Sequence, residues 1–134
     1  MTDARGYRGY VGSRAYFGMQ VPQRVQNIVI RDYAERQGLH YLLSAVEYAM
    51  PGSFMMLDNI LDELPSIGGI ICYSVFMLPP DNRRRRDVYR RLLDNGGSLH
   101  SALEGLVVAG PADVGRVEDI WLVQKQLGSC PVAV

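Results

Sequence analysis

The chain has 134 residues and carries fourteen lysines and arginines against fourteen aspartates and glutamates, so its formal net charge is zero. That length is enough to bury one core without staples, and an apolar share of 48% argues against disorder. A neutral balance lacks the global positive surplus with which a sequence-independent nucleic-acid binder displaces counterions, so no nucleic-acid partner is expected.

The amino-terminal MTDARGYRGY has no apolar core of a secretory signal, which makes a cytoplasmic protein the expectation. Tyr7 to Gly12 is short, aromatic and β-branched, and it closes on Ser13-Arg14, a first strand ending in a loop. Pro22 is well placed for the first turn of a helix. Val25, Ile28, Val29 and Tyr33 then follow helical spacing, with Gln26, Asn27, Arg31 and Glu35 on other faces and Gly38 as the stop. His40 to Val46 is an apolar run of strand length ending in Glu47-Tyr48. Ser53 can cap a second helix carrying Phe54, Leu57, Leu61 and Leu64, which Pro65 stops.

Gly69 to Met77 is the most hydrophobic segment and the best candidate for a central buried strand. Even extended to Leu78, it falls far short of the ~20 residues of a membrane helix, so no membrane partner is expected. Asp81 can cap a third helix with Val88, Leu92 and Leu93 facing inward. In Ser98 to Val108, Leu99, Ala102, Leu103 and Leu106 have helical spacing, but the alternation of elements favours a fourth strand through about Leu103. Asp113 then caps a last helix with Val114, Val117, Ile120, Trp121 and Leu127.

The order βαβαβαβα with short connections predicts an α/β fold: a three-layer domain around a mainly parallel four-stranded sheet. A single domain over 1–134 is expected, with its core at 7–108, a helix at about 113–127 and a frayed tail at 128–134. Cys72 and Cys130 offer at most one disulfide and no metal-ligand spacing, and Cys72 reads as a small core residue. No Gly-rich phosphate loop, dinucleotide fingerprint or Ser-His-Asp spacing is present, so no cofactor or metal is expected.

In parallel sheets ligands collect outside the carboxyl ends of the strands. That edge would bring together Ser13 and Arg14, Glu47 and Tyr48, Tyr73 and Ser74, and Glu104. Two carboxylates in different environments can have separated pKa values, one serving as acid and one as base. Glu47 and Glu104 are thus the candidate acid and base, with Ser13, Tyr48 and His100 as further catalytic candidates. Arg8, Arg14, Arg24, Asn27, Tyr73 and Ser74 are the candidate binding residues. Each also has a bland reading: strand ends are polar because they meet solvent, and a lone histidine is commonly a hydrogen-bonded core residue.

The basic side chains are almost all arginine, with Lys125 the only lysine. Arginine suits bidentate contacts with phosphate or carboxylate, although high-GC coding gives the same bias. The run Arg83 to Arg86 opens the third helix, where cations oppose the helix dipole. It hints at an anionic partner, and a solvated face explains most of it.

Tyr73 to Val108, YSVFMLPPDNRRRRDVYRRLLDNGGSLHSALEGLVV, resembles the third strand, helix and fourth strand of serine-recombinase catalytic domains. Glu104-Gly105 stands at their Glu-Gly position, and Ser13 in GYVGS at the place of their nucleophile. The resemblance implies a resolvase-like fold. Phe76 and Met77 replace the family's Asp-Arg pair, Pro80 replaces its second arginine, and Val11 replaces the arginine before the serine. A phosphodiester attack needs cations around the developing charge, and losing one typically costs ~10²-fold or more. These departures decide against recombination.

RGYVGSR, VPQRVQNIVIRDY, LLSAVEYAMPGSFMMLDNIL, YSVFMLP and LHSALEGLVV resemble blocks of the sporadic carbohydrate cluster proteins, small proteins encoded among genes for unusual sugar biosynthesis. That resemblance implies a context of unusual sugar biosynthesis and no established reaction; joined to the two strand-end carboxylates, it gives the expectation of a cofactor-independent acid/base enzyme, an isomerase, epimerase or lyase, acting on a carbohydrate or sugar-nucleotide substrate. The alternative is a non-catalytic assembly partner of a carbohydrate-pathway enzyme. A third reading, a degenerate nucleic-acid enzyme, rests on Ser13 and the arginine run. A homo-oligomer is expected, because a short apolar chain leaves strand edges and helix faces to cover.

Overall fold

The structure, a computed structural model, describes residues 5–13, 20–50 and 52–129. In chain order it contains β1 (Tyr7–Gly12), α1 (Gln23–Gln37), β2 (Tyr41–Glu47), α2 (Met55–Asp62) and β3 (Gly69–Cys72). A 3-10 turn at Val75–Met77 follows, then α3 (Asn82–Asp94), β4 (Ser98–Ser101), β5 (Leu106–Val108) and α4 (Pro111–Ser129). The strands form one five-stranded sheet in the order β2-β1-β3-β4-β5. The β1–β2, β1–β3 and β3–β4 pairs are parallel, and β4–β5 is antiparallel.

The α/β class and the mainly parallel sheet agree with the sequence reading, but the strand count does not. The expected fourth strand ends at Ser101, and the chain reverses through Ala102–Gly105 into β5. Gly105 makes this reversal with φ of 71°, a conformation that side chains with a Cβ rarely adopt. The helical spacing of Leu99, Ala102, Leu103 and Leu106 is therefore produced by two very short strands around a turn. The third strand is also shorter than expected. It ends at Cys72, where the Ser74 side chain accepts a bond from the Phe76 N–H and opens the 3-10 turn.

Local chemistry explains most helix ends. Gly38 takes φ of 68° and donates its N–H to the carbonyls of Ala34 and Glu35, closing α1. Asp81 caps α3 by accepting the Arg84 N–H at 2.9 Å. In α4, Pro111 leads, and Asp113 is its third residue rather than its cap. The Asp113 carboxylate reaches back to the Ala109 and Gly110 N–H groups at 2.9 and 3.2 Å. Ser53 does not cap α2; the cap residue is Phe54, which makes no side-chain cap bond.

Successive β3 residues alternate between two apolar clusters, as strand geometry requires. Ile70 and Cys72 join Tyr10, Leu57, Leu92, Val117 and Trp121, contributed by β1, α2, α3 and α4. Ile71 joins Tyr7, Val11, Ile30, Tyr33 and Ala34, contributed by β1 and α1. Each fully buried aliphatic side chain supplies roughly 1.5–3 kcal/mol. This packing aligns the carboxyl ends of β1 to β4 along one edge.

Candidate functional site

At that edge β1 delivers Gly12 and Ser13, with Ser13 half-buried. Gly12 is gripped by Gln26 of α1, whose side chain is buried. The Gly12 N–H donates to Gln26 Oε1 at 3.1 Å, while Gln26 Nε2 donates to the Gly12 carbonyl at 2.6 Å and to the Val21 carbonyl at 2.7 Å. The Ser13 carbonyl accepts from Gln20 Nε2 at 3.2 Å. Gln26 thus fixes where β1 ends. Helical periodicity assigned it to another face of α1, and no sequence signal marked it as buried.

The structure gives both candidate carboxylates work inside the fold. Glu47 is 3% exposed. Its Oε1 accepts from the Tyr10 hydroxyl at 2.9 Å and the Leu57 N–H at 3.2 Å, and its Oε2 from the N–H groups of Tyr48 and Met56 at 3.0 and 3.1 Å. The Ser53 hydroxyl lies 3.5 Å from Oε2. Glu47 is therefore the cap of α2, reaching it from a neighbouring strand and satisfying helix N–H groups that would otherwise lack partners. Glu104 accepts from the Ser74 hydroxyl at 2.6 Å and the Val75 N–H at 2.8 Å, which ties the β4–β5 turn to the loop after β3.

His100 does not reach the edge. It pairs with Ile71, which pairs with Gly9, and Gly9 precedes Ser13 by four residues, about 13 Å of strand. Its Nδ1 lies 2.8 Å from the Tyr33 hydroxyl and its Nε2 3.1 Å from Ser98 Oγ, with the Tyr7 ring edge-on. Burial pushes its pKa down to about 4, so it is held neutral. Arg8 is also away from the edge: it donates to the Leu43 carbonyl at 2.6 Å and pairs with Glu63 at 2.8 Å.

Of the remaining candidates, Tyr73 and Ser74 are buried just past β3, while Tyr48 is exposed just past β2. Arg24 is exposed on the first turn of α1, and the Asn27 Oδ1 one turn on is buried with no hydrogen-bond partner among the described residues. Arg14 and Cys130 lie outside the described residues. Burial pushes the Cys72 thiol up, consistent with a core residue.

The arginine run divides sharply. Arg85 is 1% exposed and its guanidinium stacks 4.2 Å over the Trp121 ring. It donates to both Glu118 oxygens at 2.6 and 2.8 Å, to the Pro79 and Pro80 carbonyls and to Asn82. Burial works against ionisation of Glu118, yet the hydrogen bonds from Arg85 and Tyr89 hold its pKa below the ordinary value. This pair bolts α4 onto α3. Arg83, Arg84 and Arg86 are exposed. With Arg90 they border an open groove of about 590 Å³ that also involves Phe54, Asp58 and Asp87. Arg84 stacks 5.0 Å over Phe54 and donates to the Gly52 carbonyl at 3.4 Å, which draws the β2–α2 connection to the start of α3. Arg90 pairs with Asp87, and Arg86 lies 3.7 Å from Glu118. Among the described residues no helix is long and apolar enough to cross a membrane.

No protein-family model matches the chain, and no curated protein matches it. Solved structures do. A resolvase family site-specific recombinase from Streptococcus pneumoniae superposes with a TM-score of 0.64 at 6% identity, covering 90% of this chain and 89% of that one. The N-terminal catalytic domain of TP901-1 integrase superposes with a TM-score of 0.53 at 14% identity, covering 90% of this chain and 98% of that one. The fold is resolvase-like. The neighbours correct the functional expectation: they are described as a site-specific recombinase and an integrase, not as sugar-processing enzymes, and nothing supports the carbohydrate-cluster family, a carbohydrate or sugar-nucleotide substrate, or isomerase, epimerase or lyase activity in sugar biosynthesis. They equally overturn the exclusion of a nucleic-acid partner. The physical reason is that net charge averages over the surface, whereas phosphate is met by a local patch.

Proposed function

We propose that this chain is a nucleic-acid-binding domain that contacts phosphate through the arginines at the start of α3. The observation that carries the reading is the groove bordered by Arg83, Arg84, Arg86 and Arg90. It lies beside the connection that follows β2, on a fold shared with proteins described as a site-specific recombinase and an integrase. Guanidinium groups suit phosphate because their planar fork offers paired donors. Asp81 caps α3 locally, leaving the arginines on either side of Arg85 turned to solvent.

The proposed role is binding rather than turnover. Glu47 and Glu104 spend their oxygens on main-chain and hydroxyl donors within the fold. Val11 stands two residues before Ser13, where the serine-recombinase pattern has an arginine.

Fluorescence anisotropy with a labelled DNA duplex, titrated at several salt concentrations, tests the reading. Binding should weaken with salt, with a log–log slope of about −0.9 per phosphate neutralised. Arg83→Ala and Arg86→Ala should each weaken binding and reduce the slope by roughly one. Absence of binding at low salt, or unchanged slopes in both variants, would refute it.

A further inference from the structure

The two edges of the sheet differ in kind. The β5 edge has only three residues and is packed by α4. Among the described residues the β2 edge, seven residues long, pairs only with β1, against which its register slips once between Tyr7 and Gly9, and it carries no Lys, Arg or Pro between Tyr41 and Glu47. Edge strands of that kind are ordinarily blunted by charge or covered, because their outward N–H and C=O groups template pairing with another strand.

Among the described residues, several apolar side chains around the β2 edge are left exposed. Leu43 is 81% exposed, Val46 42% and Tyr48 49%. Ala45 belongs to the cluster of α2, α3 and α4, so alternation turns Ser44 and Val46 to the α1 face. On α1, the Arg31 guanidinium stacks 5.5 Å over the Tyr41 ring, which identifies the side of that helix looking over β2. One turn earlier on that side stands Ile28, 59% exposed, followed by Val25, 43% exposed, and the exposed Arg24. Strand edge and helix row therefore form one strip, apolar at Leu43, Val46, Ile28 and Val25 and bordered by Arg24 and Arg31.

We infer that the β2 edge is a homodimer interface, in which two copies pair β2 antiparallel across a two-fold axis and join their sheets into one. The edge's main-chain groups call for a strand as occupant, and the two-fold lets an identical strand satisfy them while closing the assembly instead of propagating it. From Tyr41 to Val46 the strand carries no charged residue, so two copies meet there without like-charge repulsion between the strands themselves. A standard interface buries ~800 Å² per copy, so the main chain of β2 and a polar rim must contribute beside the five exposed side chains. This inference is independent of nucleic-acid binding.

Sedimentation velocity across the micromolar to millimolar range, with hydrogen exchange on the same samples, tests it. The full chain should sediment as twice its 15.0 kDa mass, with concentration-dependent protection of the outward β2 amides. Leu43→Lys and Val46→Lys, both at exposed positions, should return it to monomer with unchanged circular dichroism. Leu127→Lys, on the 61% exposed position of α4, should leave the dimer intact. A monomer at all concentrations would overturn the inference. So would a dimer that survives both β2 substitutions, dissociates with Leu127→Lys, or leaves the β2 amides unprotected.

Discussion

Glu47→Gln keeps the size of the side chain and changes only its hydrogen-bonding sense. In the native fold five donors converge on the Glu47 carboxylate: the Tyr10 and Ser53 hydroxyls and the N–H groups of Tyr48, Met56 and Leu57. A glutamine retains one acceptor oxygen and turns an NH₂ group toward donors. At 3% exposure water offers little relief. Bonds to a charged acceptor contribute ~1.5–3 kcal/mol each, and a stranded buried donor costs about 1–3 kcal/mol. With Met56 N–H or Leu57 N–H left unpaired at the start of α2, the net loss should be on the order of 3 kcal/mol, a large part of the ~5–15 kcal/mol typical of a domain. Urea unfolding followed by circular dichroism should show a lower midpoint at unchanged slope. A Tyr10→Phe cycle should show coupling between the two positions, since they share a bond. If Glu47→Gln unfolded within about 0.5 kcal/mol of the native chain, the capping role would be refuted, and the carboxylate would be free for the chemistry first expected of it.

Two further outcomes follow from the buried polar groups. His100 has a folded pKa of about 4 against its ordinary 6.5. The unfolded chain therefore takes up the proton first, and stability present above pH 6.5 should be lost as pH falls toward 4. The loss amounts to up to about 3 kcal/mol at ~1.4 kcal/mol per pKa unit. His100→Gln should flatten that part of a urea-midpoint profile, and parallel profiles for the two proteins would refute the assignment. Arg85→Ala should cost about 2–3 kcal/mol, less than the ~3–5 kcal/mol of a fully buried pair, because it leaves the partly buried Glu118 beside Tyr89 with only the exposed Arg86 at 3.7 Å. Hydrogen exchange should locate the loss in α4, and unaltered α4 protection would contradict the bolt.

Local signals were the ones legible in the chain. Gly38 and Asp81 act within one turn of the helix ends they define, so composition and spacing reveal them. The apolar run of β3 likewise announces a strand buried on both faces. What spacing could not reveal is non-local. Glu47 caps a helix whose start lies beyond its own strand, so the nearer Ser53 was the natural sequence choice. Arg85 meets its partner thirty-three residues away, and nothing separates it from its exposed neighbours in an unbroken arginine run. β4 and β5 are four and three residues long, too short for a period of two to outweigh a chance helical spacing. The candidate site suffered most. A carboxylate after an apolar strand fits both a catalyst and a cap, and only the direction of the surrounding N–H groups separates the two.

The Gln26 amide bears on how this chain could vary. One Nε2 group donates to the carbonyls of both Gly12 and Val21, so a single side chain staples the two ends of the connection from β1 to α1. Losing the amide at position 26 would release both carbonyls at once, so the end of β1 and the start of α1 are held or freed together by one side chain.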